Sequence, residues 1–199
     1  MDSDTVWGHI DGERTWLADL LESLPEEGWQ QPSLCEGWTV RDVGAHLTFA
    51  HARVRDVLWP AVRAGFRYDT IVKDTALRSP LTHEEIVATL RAFVGSRRRV
   101  SFISDLEPLI DVLVHTQDIC QPLGIGHPMP PDAAAAAADR VLSTPRPIRR
   151  WKPLQGVALV ATDVDWAYGD GTTVRAPMQS HLLTLTGRQT APEGSTATA

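Results

Sequence analysis

The chain has 199 residues, of which 43% are hydrophobic and 22% are charged, and its formal net charge is −6. This length and mixture are typical of one globular domain, or one domain with a small appendix, that has a core of its own. The negative charge argues against nucleic acid as a partner, because nucleic-acid binding needs a basic surface.

Two cysteines, Cys35 and Cys120, stand outside any metal-ligand spacing, and two cysteines in this length do not make a disulfide scaffold. The acidic start lacks the apolar segment of a signal peptide. No apolar run approaches the roughly 18 residues of a membrane helix. We therefore predict a cytoplasmic protein without a membrane partner.

The first half of the chain predicts two helices. Residues 4–24 have leucines and an isoleucine at helical spacing, and Pro25 ends the segment. Thr39 begins the second helix, which runs towards Pro60, and Thr39 with Asp42 resembles a capping box. Its apolar stripe is the clearest in the sequence: Val40, Val43, Leu47, Ala50, Val54, Val57 and Leu58.

Residues 65–81 are irregular and long enough to cross from one end of a bundle to the other. Thr82 and Glu85 form a capping box for a third helix that runs to about Val100. A fourth helix is predicted from near Pro108 to just before Pro122. These four helices predict a four-helix bundle with one long crossover.

The remainder of the chain changes period. Asp132 is predicted to cap an alanine-rich fifth helix, and the Pro- and Arg-rich stretch 143–153 is taken as a boundary. Three strands and a short helix are expected after it: Val157–Thr162, Val164–Tyr168, Thr172–Arg175 and Pro177–Thr186. The predicted division is a helical bundle at residues 1–145, an α/β segment at 154–189 and a disordered tail at 190–199.

The stretch LIDVLVHTQD carries the first chemical signal. Asp111 and His115 are four residues apart, which places them on one face of the fourth helix, among apolar neighbours. A buried carboxylate and imidazole need compensation, either from a mutual hydrogen bond or from a divalent metal. In a bundle, His46 on the second helix supplies a third ligand, and a set of two nitrogens and one oxygen suits zinc, nickel or iron.

Two motifs are similar to those of the mycothiol-dependent maleylpyruvate isomerase family of DinB-like four-helix bundles. One is SLCEGWTVRDVGAHL at residues 33–47, and the other is DVLVHTQDICQPLG at residues 111–124. The segments ATDVDWAYGDGTTVRAP and LLTLTGR resemble the C-terminal part of many members. The resemblance implies a mainly α, DinB-like bundle with a small C-terminal α/β appendix.

The resemblance also implies a metal site with His46, Asp111 and His115 as ligands, zinc being the first choice and nickel or iron the others. The family usually has Glu where Asp111 stands, and the isomerase proper has a fuller, sterol-carrier-like C-terminal domain. Mycothiol is implied as the co-substrate, with a small electrophile as the second partner. The oligomeric state stays open, with a homodimer as one option.

Four residues near these motifs have simpler interpretations. Asp42 is read as the cap of the second helix and not as a ligand. Asp118 is either a partner that orients a metal ligand or part of a salt bridge at the helix end. Cys35 is interpreted as a packed loop residue and not as a nucleophile, and Trp38 as a hydrophobic staple or a pocket wall.

Two functions follow. The first is a metal-dependent enzyme that uses a low-molecular-weight thiol such as mycothiol, acting either as an isomerase or as an S-transferase. The alternative is a non-catalytic stress module of the same fold that binds a metal or a small molecule. Consumption of the thiol in the presence of an electrophile would distinguish the two.

Overall fold

The computed structural model describes residues 1–51, 76–98, 104–143 and 156–188. The chain divides into two compact units, Met1–His127 and Pro128–Ala199. The first unit is helical, and the second combines helices with a small sheet. The protein is thus mainly α with a C-terminal α/β part, as the sequence predicts.

The described residues of the first unit contain four longer helices: α1 (Ser3–Ser23), α3 (Val40–Leu47), α4 (His83–Phe93) and α5 (Leu106–Cys120). A single-turn helix, α2 (Glu26–Trp29), lies between α1 and α3. Helix α1 packs against α4 and α5, and α3 packs against the same two helices. This closed ring of contacts is the predicted four-helix bundle.

The core of the bundle is built from the apolar faces that the periodicity predicts. Helices α1, α4 and α5 contribute its largest fully buried side chains: Ile10, Leu17, Leu21, Ile86, Leu90, Leu109, Leu113 and Ile119. Burying each side chain of this size contributes roughly 1.5–3 kcal/mol relative to exposure. Apolar packing between the helices therefore stabilises the bundle.

Capping fixes where two of the helices begin. The Thr39 side chain accepts a hydrogen bond from the Asp42 backbone, and the Asp42 carboxylate accepts one from the Thr39 backbone at 3.0 Å. Thr82 and Glu85 make the same reciprocal pair at the start of α4. Both capping boxes are as predicted, and Asp42 is occupied as a cap.

Two predicted helix bounds need correction, and a third falls outside the described residues. Helix α4 ends at Phe93 and not near Val100, because Val94 is extended and Gly95 takes the left-handed φ of +76°. Helix α5 begins at Leu106, so Pro108 lies within its first turn. Helix α3 is followed directly by a 3₁₀ turn, Thr48–His51, and the rest of the predicted second helix lies outside the described residues.

Arg41 ties α3 to the segment that leads into α4. Its guanidinium donates to the Ser79 carbonyl at 2.7 Å and to the Leu81 carbonyl at 3.0 Å. Residues 65–75 of the predicted crossover lie outside the described part of the chain. The described end of that connection is therefore attached to the helix that carries His46.

The second unit begins with α6 (Pro131–Ser143), which is followed by β1 (Val157–Ala161), β2 (Ala167–Gly169), β3 (Thr172–Ala176) and α7 (Met178–Leu185). The strand order is β2-β1-β3, with β1 antiparallel to β2 and parallel to β3. Alternate residues of β1 are buried, which is the pattern of a sheet with one covered face.

Some predicted bounds in this unit shift. Helix α6 begins at Pro131, so Asp132 lies in its first turn and does not precede it. This helix packs against α7, so it belongs to the second unit, whereas the predicted division placed it with the bundle. The predicted boundary at 144–153 and the tail at 190–199 lie outside the described residues.

Among the described helices, none has both the length and the apolar composition that crossing a membrane requires.

The capping box of α3 gives a first prediction. Thr39→Ala removes a side-chain acceptor from the helix start and is expected to lower the free energy of unfolding by about 1 kcal/mol. Thr15→Ala is the control, because Thr15 is exposed in the middle of α1 and bonds only its own helix, at Asp11. Urea denaturation of both variants measures the difference, and equal stability of the two would contradict the role of the cap.

Candidate metal centre

Helices α3 and α5 bring three metal-ligating side chains together. Nε2 of His46 and Nε2 of His115 each lie 3.5 Å from Oδ1 of Asp111. One donor atom from each of the three residues lies within 4.8 Å of the others. Two donors bound tetrahedrally to one zinc ion are about 3.3 Å apart. The donor set and its spacing therefore fit a divalent metal.

The helix geometry explains why these residues meet. Asp111 and His115 are one turn apart on α5, so their side chains lie on the same face. His46 lies in the last turn of α3, which packs against α5. The predicted trio of His46, Asp111 and His115 is thus assembled by the contact between two helices of the bundle.

The three side chains differ in exposure. The side chains of His46 and His115 are 15% and 12% exposed, whereas that of Asp111 is 39% exposed. The cluster therefore has one open side, next to the carboxylate. Three protein ligands and an accessible fourth position are the arrangement of catalytic zinc sites, whereas structural sites are closed by four ligands.

A fully buried carboxylate orients His115. Nδ1 of His115 lies 2.7 Å from Oδ2 of Asp118, whose side chain is 0% exposed. An ionised carboxylate only accepts hydrogen bonds, so it selects the tautomer with the proton on Nδ1 and leaves Nε2 free to bind a metal. Of the two interpretations of Asp118 from the sequence, the geometry favours the partner that orients a ligand.

The charges of the cluster support one another. Burial opposes ionisation of Asp111, but the neighbouring imidazoles of His46 and His115 outweigh it and hold the pKa of this carboxyl well below its usual range. Burial also opposes protonation of His115, but hydrogen bonds to Asp111 and Asp118 outweigh it and raise the pKa of His115 well above its ordinary value. Without a metal, the site thus favours the protonated, positively charged form of His115 between the carboxylates of Asp111 and Asp118.

Trp38 forms one wall of the centre. Its ring meets that of His46 edge-on, with 5.5 Å between centroids and 63° between planes. The rings of His46 and His115 are also nearly perpendicular, with centroids 4.8 Å apart. Trp38 is nearly buried, so it limits the rotation of His46. The contact between the rings of Trp38 and His46 therefore supports the interpretation of Trp38 as a pocket wall.

Cys35 packs against the core of the bundle, as predicted, but its contacts with the centre were not predicted. Its Sγ lies 3.1 Å from Oδ2 of Asp118 and 3.8 Å from Nδ1 of His115. Cys35, His115 and Asp118 also form a second group with metal-ligand spacing. The sequence offered no pairing signal for Cys35, because Asp118 is distant in the chain and only the fold brings the two together.

Other histidines of the described residues serve elsewhere. His127 stacks on Trp16 and contacts the Glu13 carboxylate at 3.0 Å, and His83 stacks on Trp29. His181, in the second unit, contacts the carbonyl of Val160 at 3.0 Å. None of these three belongs to a described group with metal-ligand spacing.

Comparison with known proteins places this geometry in context. Residues 10–101 match the family described as the mycothiol maleylpyruvate isomerase N-terminal domain, a range that includes His46 and the WTVRD motif. No curated protein sequence matches the chain significantly.

Two solved structures share the fold, each at 13% sequence identity. One is the mycothiol-dependent maleylpyruvate isomerase, with a TM-score of 0.61, and the other is a histidine-to-alanine variant of that enzyme, with a TM-score of 0.63. Each match covers 95% of this chain and 90% of the other.

Removing the charge that orients His115 gives a second prediction. Asp118→Asn keeps the shape of the side chain but not its charge, and is expected to weaken zinc binding about 10- to 100-fold. Asp139→Asn, on an exposed residue of the second unit, is the control and should bind zinc like the wild type. Competition with a chromogenic chelator measures both affinities, and equal affinities would exclude the orienting role.

Proton competition gives a third prediction. A metal can bind His115 only after Nε2 has lost its proton, and the raised pKa of His115 means that this proton is held near neutral pH. Zinc affinity should therefore rise with pH from about 6 to 8, with release of a proton on binding. Calorimetric titration in two buffers of different ionisation enthalpy counts the released protons, and a pH-independent affinity would contradict this account.

Proposed function

We propose that the chain, whose residues 10–101 match the mycothiol maleylpyruvate isomerase N-terminal domain, is a metal-dependent enzyme that uses a low-molecular-weight thiol. Mycothiol is the proposed co-substrate, and a small electrophile is the proposed substrate. The observation that carries the proposal is the group of His46, Asp111 and His115, which has donor spacing suited to a metal and one open side.

Zinc is the proposed metal, because two imidazole nitrogens and a carboxylate oxygen are a common catalytic zinc set. Nickel and iron accept the same donors. Asp111 replaces the Glu that is usual in the family, but its Oδ1 lies at equal distance from both imidazoles. The shorter side chain therefore still supports a three-ligand site.

A bound divalent cation would supply positive charge that lowers the pKa of an incoming thiol, so that the nucleophilic thiolate is present at neutral pH. The chain's residues would do the rest. His46, Asp111 and His115 would hold the cation, and Asp118 would keep the proton of His115 on Nδ1. Trp38 would keep the ring of His46 from turning.

A recess next to Asp111 marks the open side of the centre, and its free space of about 10 Å³ admits about one water molecule. Its walls are formed by the charged side chains of Asp111 and Arg14 and by four apolar residues, Leu47, Leu90, Pro108 and Val112. Arg14 is buried and donates to the carbonyl of Phe93 at 3.0 Å, so its charge is fixed in place. The electrophile would therefore lie over this recess, at the open side of the centre, and not within it.

Two reactions fit this arrangement. In an isomerisation, the thiolate sulfur adds to one carbon of a cis double bond, and the π electron pair moves onto a conjugated carbonyl as an enolate. The resulting single bond rotates. The enolate pair then re-forms the double bond in the trans geometry, and the sulfur leaves with the electrons of the carbon–sulfur bond. In a transfer, the carbon–sulfur bond persists, and the electrophile either gains a proton or loses a leaving group. The thiol is regenerated in the first case and consumed in the second.

The experiment follows both the electrophile and the thiol. Zinc-loaded protein is mixed with mycothiol and maleylpyruvate, and the cis-to-trans change is followed by absorbance while free thiol is titrated. Isomerase activity predicts turnover with constant thiol, and a transferase acting on a more reactive electrophile predicts equal loss of thiol and electrophile. His46→Ala should abolish either reaction, and His83→Ala, at a stacked residue outside the centre, should not.

Zinc binding without any turnover across a panel of electrophiles would instead support the non-catalytic alternative. Equal, weak zinc binding by the wild type and His46→Ala would refute the metal centre itself.

A further inference from the structure

We propose that Cys35 is a positioning residue of the metal centre, acting through Asp118 on His115. The inference rests on the proposed metal site and adds a residue that touches neither the ligating nitrogens nor the open side. Its basis is a three-residue chain of contacts, from the Cys35 thiol to the Asp118 carboxylate and from that carboxylate to the His115 ring.

One oxygen atom receives both contacts. Oδ2 of Asp118 lies 3.1 Å from Sγ of Cys35 and 2.7 Å from Nδ1 of His115. A buried carboxylate that accepts from two directions has its plane fixed, because rotation would break both hydrogen bonds. The thiol thus restricts the carboxylate, and the carboxylate restricts the imidazole.

The loop that carries Cys35 is built to hold it there. The Leu34 amide donates to the carbonyl of Asp118 at 3.0 Å, which fixes the loop to α5 one residue before the thiol. The Trp38 amide donates to the Cys35 carbonyl at 2.9 Å and closes a turn in which Gly37 takes a φ of +76°. This conformation favours glycine, so Gly37 is needed for the turn.

The same loop reaches the other half of the site. Trp38 contacts the ring of His46, and Thr39 caps the helix on which His46 lies. Residues 35–39 therefore act on both histidines of the centre, on His115 through Asp118 and on His46 through Trp38 and the helix cap. A change at Cys35 is expected to affect the orientation of His115 first, because that contact passes through a single oxygen.

Two other roles for Cys35 fit the geometry less well. As a ligand of the same metal it would have to face Nε2 of His115, but Sγ faces Nδ1, the nitrogen bonded to Asp118. As the reaction's nucleophile it would have to reach the open side next to Asp111. A thiol that donates to a carboxylate beyond the ring meets neither condition.

The experiment compares Cys35→Ala, Cys35→Ser and the control Cys120→Ala in the full-length protein. Cys120 is buried on α5 and belongs to neither described group with metal-ligand spacing. Cobalt(II) is the probe, because its affinity and its visible absorption both report on the ligands. Cys35→Ala should weaken cobalt binding about tenfold and change the visible spectrum, as loss of an outer partner does. Cys35→Ser keeps a hydroxyl donor and should recover most of both.

A packing role predicts a different pattern, in which Cys35→Ser is as impaired as Cys35→Ala, or Cys120→Ala is as impaired as either. That pattern would overturn the inference. Unchanged cobalt binding by Cys35→Ala would overturn it too. A sulfur-to-cobalt charge-transfer band that is present in the wild type and lost in Cys35→Ala would also overturn it, because the thiol would then be a ligand. If the wild type itself binds no cobalt, the proposed function fails. In that case, ¹⁵N-histidine spectra of the metal-free proteins still test whether Cys35→Ala disturbs the Nδ1–H of His115, and an undisturbed spectrum overturns the inference.

Discussion

The hydrogen bonding of the buried Asp118 carboxylate is the constraint on which the rest of the centre depends. A charge with no exposure is stable only when it is paired and hydrogen-bonded, because burial of an unpaired charge costs several kcal/mol. Asp118 meets this requirement with the imidazole of His115 and the thiol of Cys35. Its own backbone carbonyl accepts from the loop before α3. The need to satisfy one charge thus links a helix to a loop and sets the direction of a metal ligand.

The structure gives a physical role to several residues of the first motif, SLCEGWTVRDVGAHL at residues 33–47. Cys35 contacts Asp118, Gly37 allows the turn, and Trp38 packs on the ring of His46. Thr39 and Asp42 begin the helix that carries that histidine. The motif therefore describes one structural task, which is to bring His46 to α5 in a fixed orientation. Apart from His46, these residues act on the centre without belonging to the proposed ligand set.

Sequence periodicity was sufficient for the bundle and for the two ligands on one helix, because both depend on spacing within a single element. Asp111 and His115 are four residues apart, and that relation survives any packing of the helix. The addition of His46 required the second helix to pack beside the fourth, and the resemblance of the motifs made that assumption reasonable. Contacts of Cys35 with Asp118 could not be predicted, since they depend on how a loop lies against a helix. Helix ends were also missed, as at Gly95, where a left-handed residue ends α4 before its apolar pattern runs out.

The distribution of the ligands over two helices has a consequence for folding. His46 lies far along the chain from Asp111 and His115, and the intervening sequence includes α4. A metal that joins these residues closes a long loop, which removes conformational entropy from the unfolded chain much as a disulfide does. The metal is then a reversible cross-link of the bundle, and its binding energy adds to the stability of the folded state. With the proposed metal bound, the concentration of available metal would help to determine how much folded protein persists.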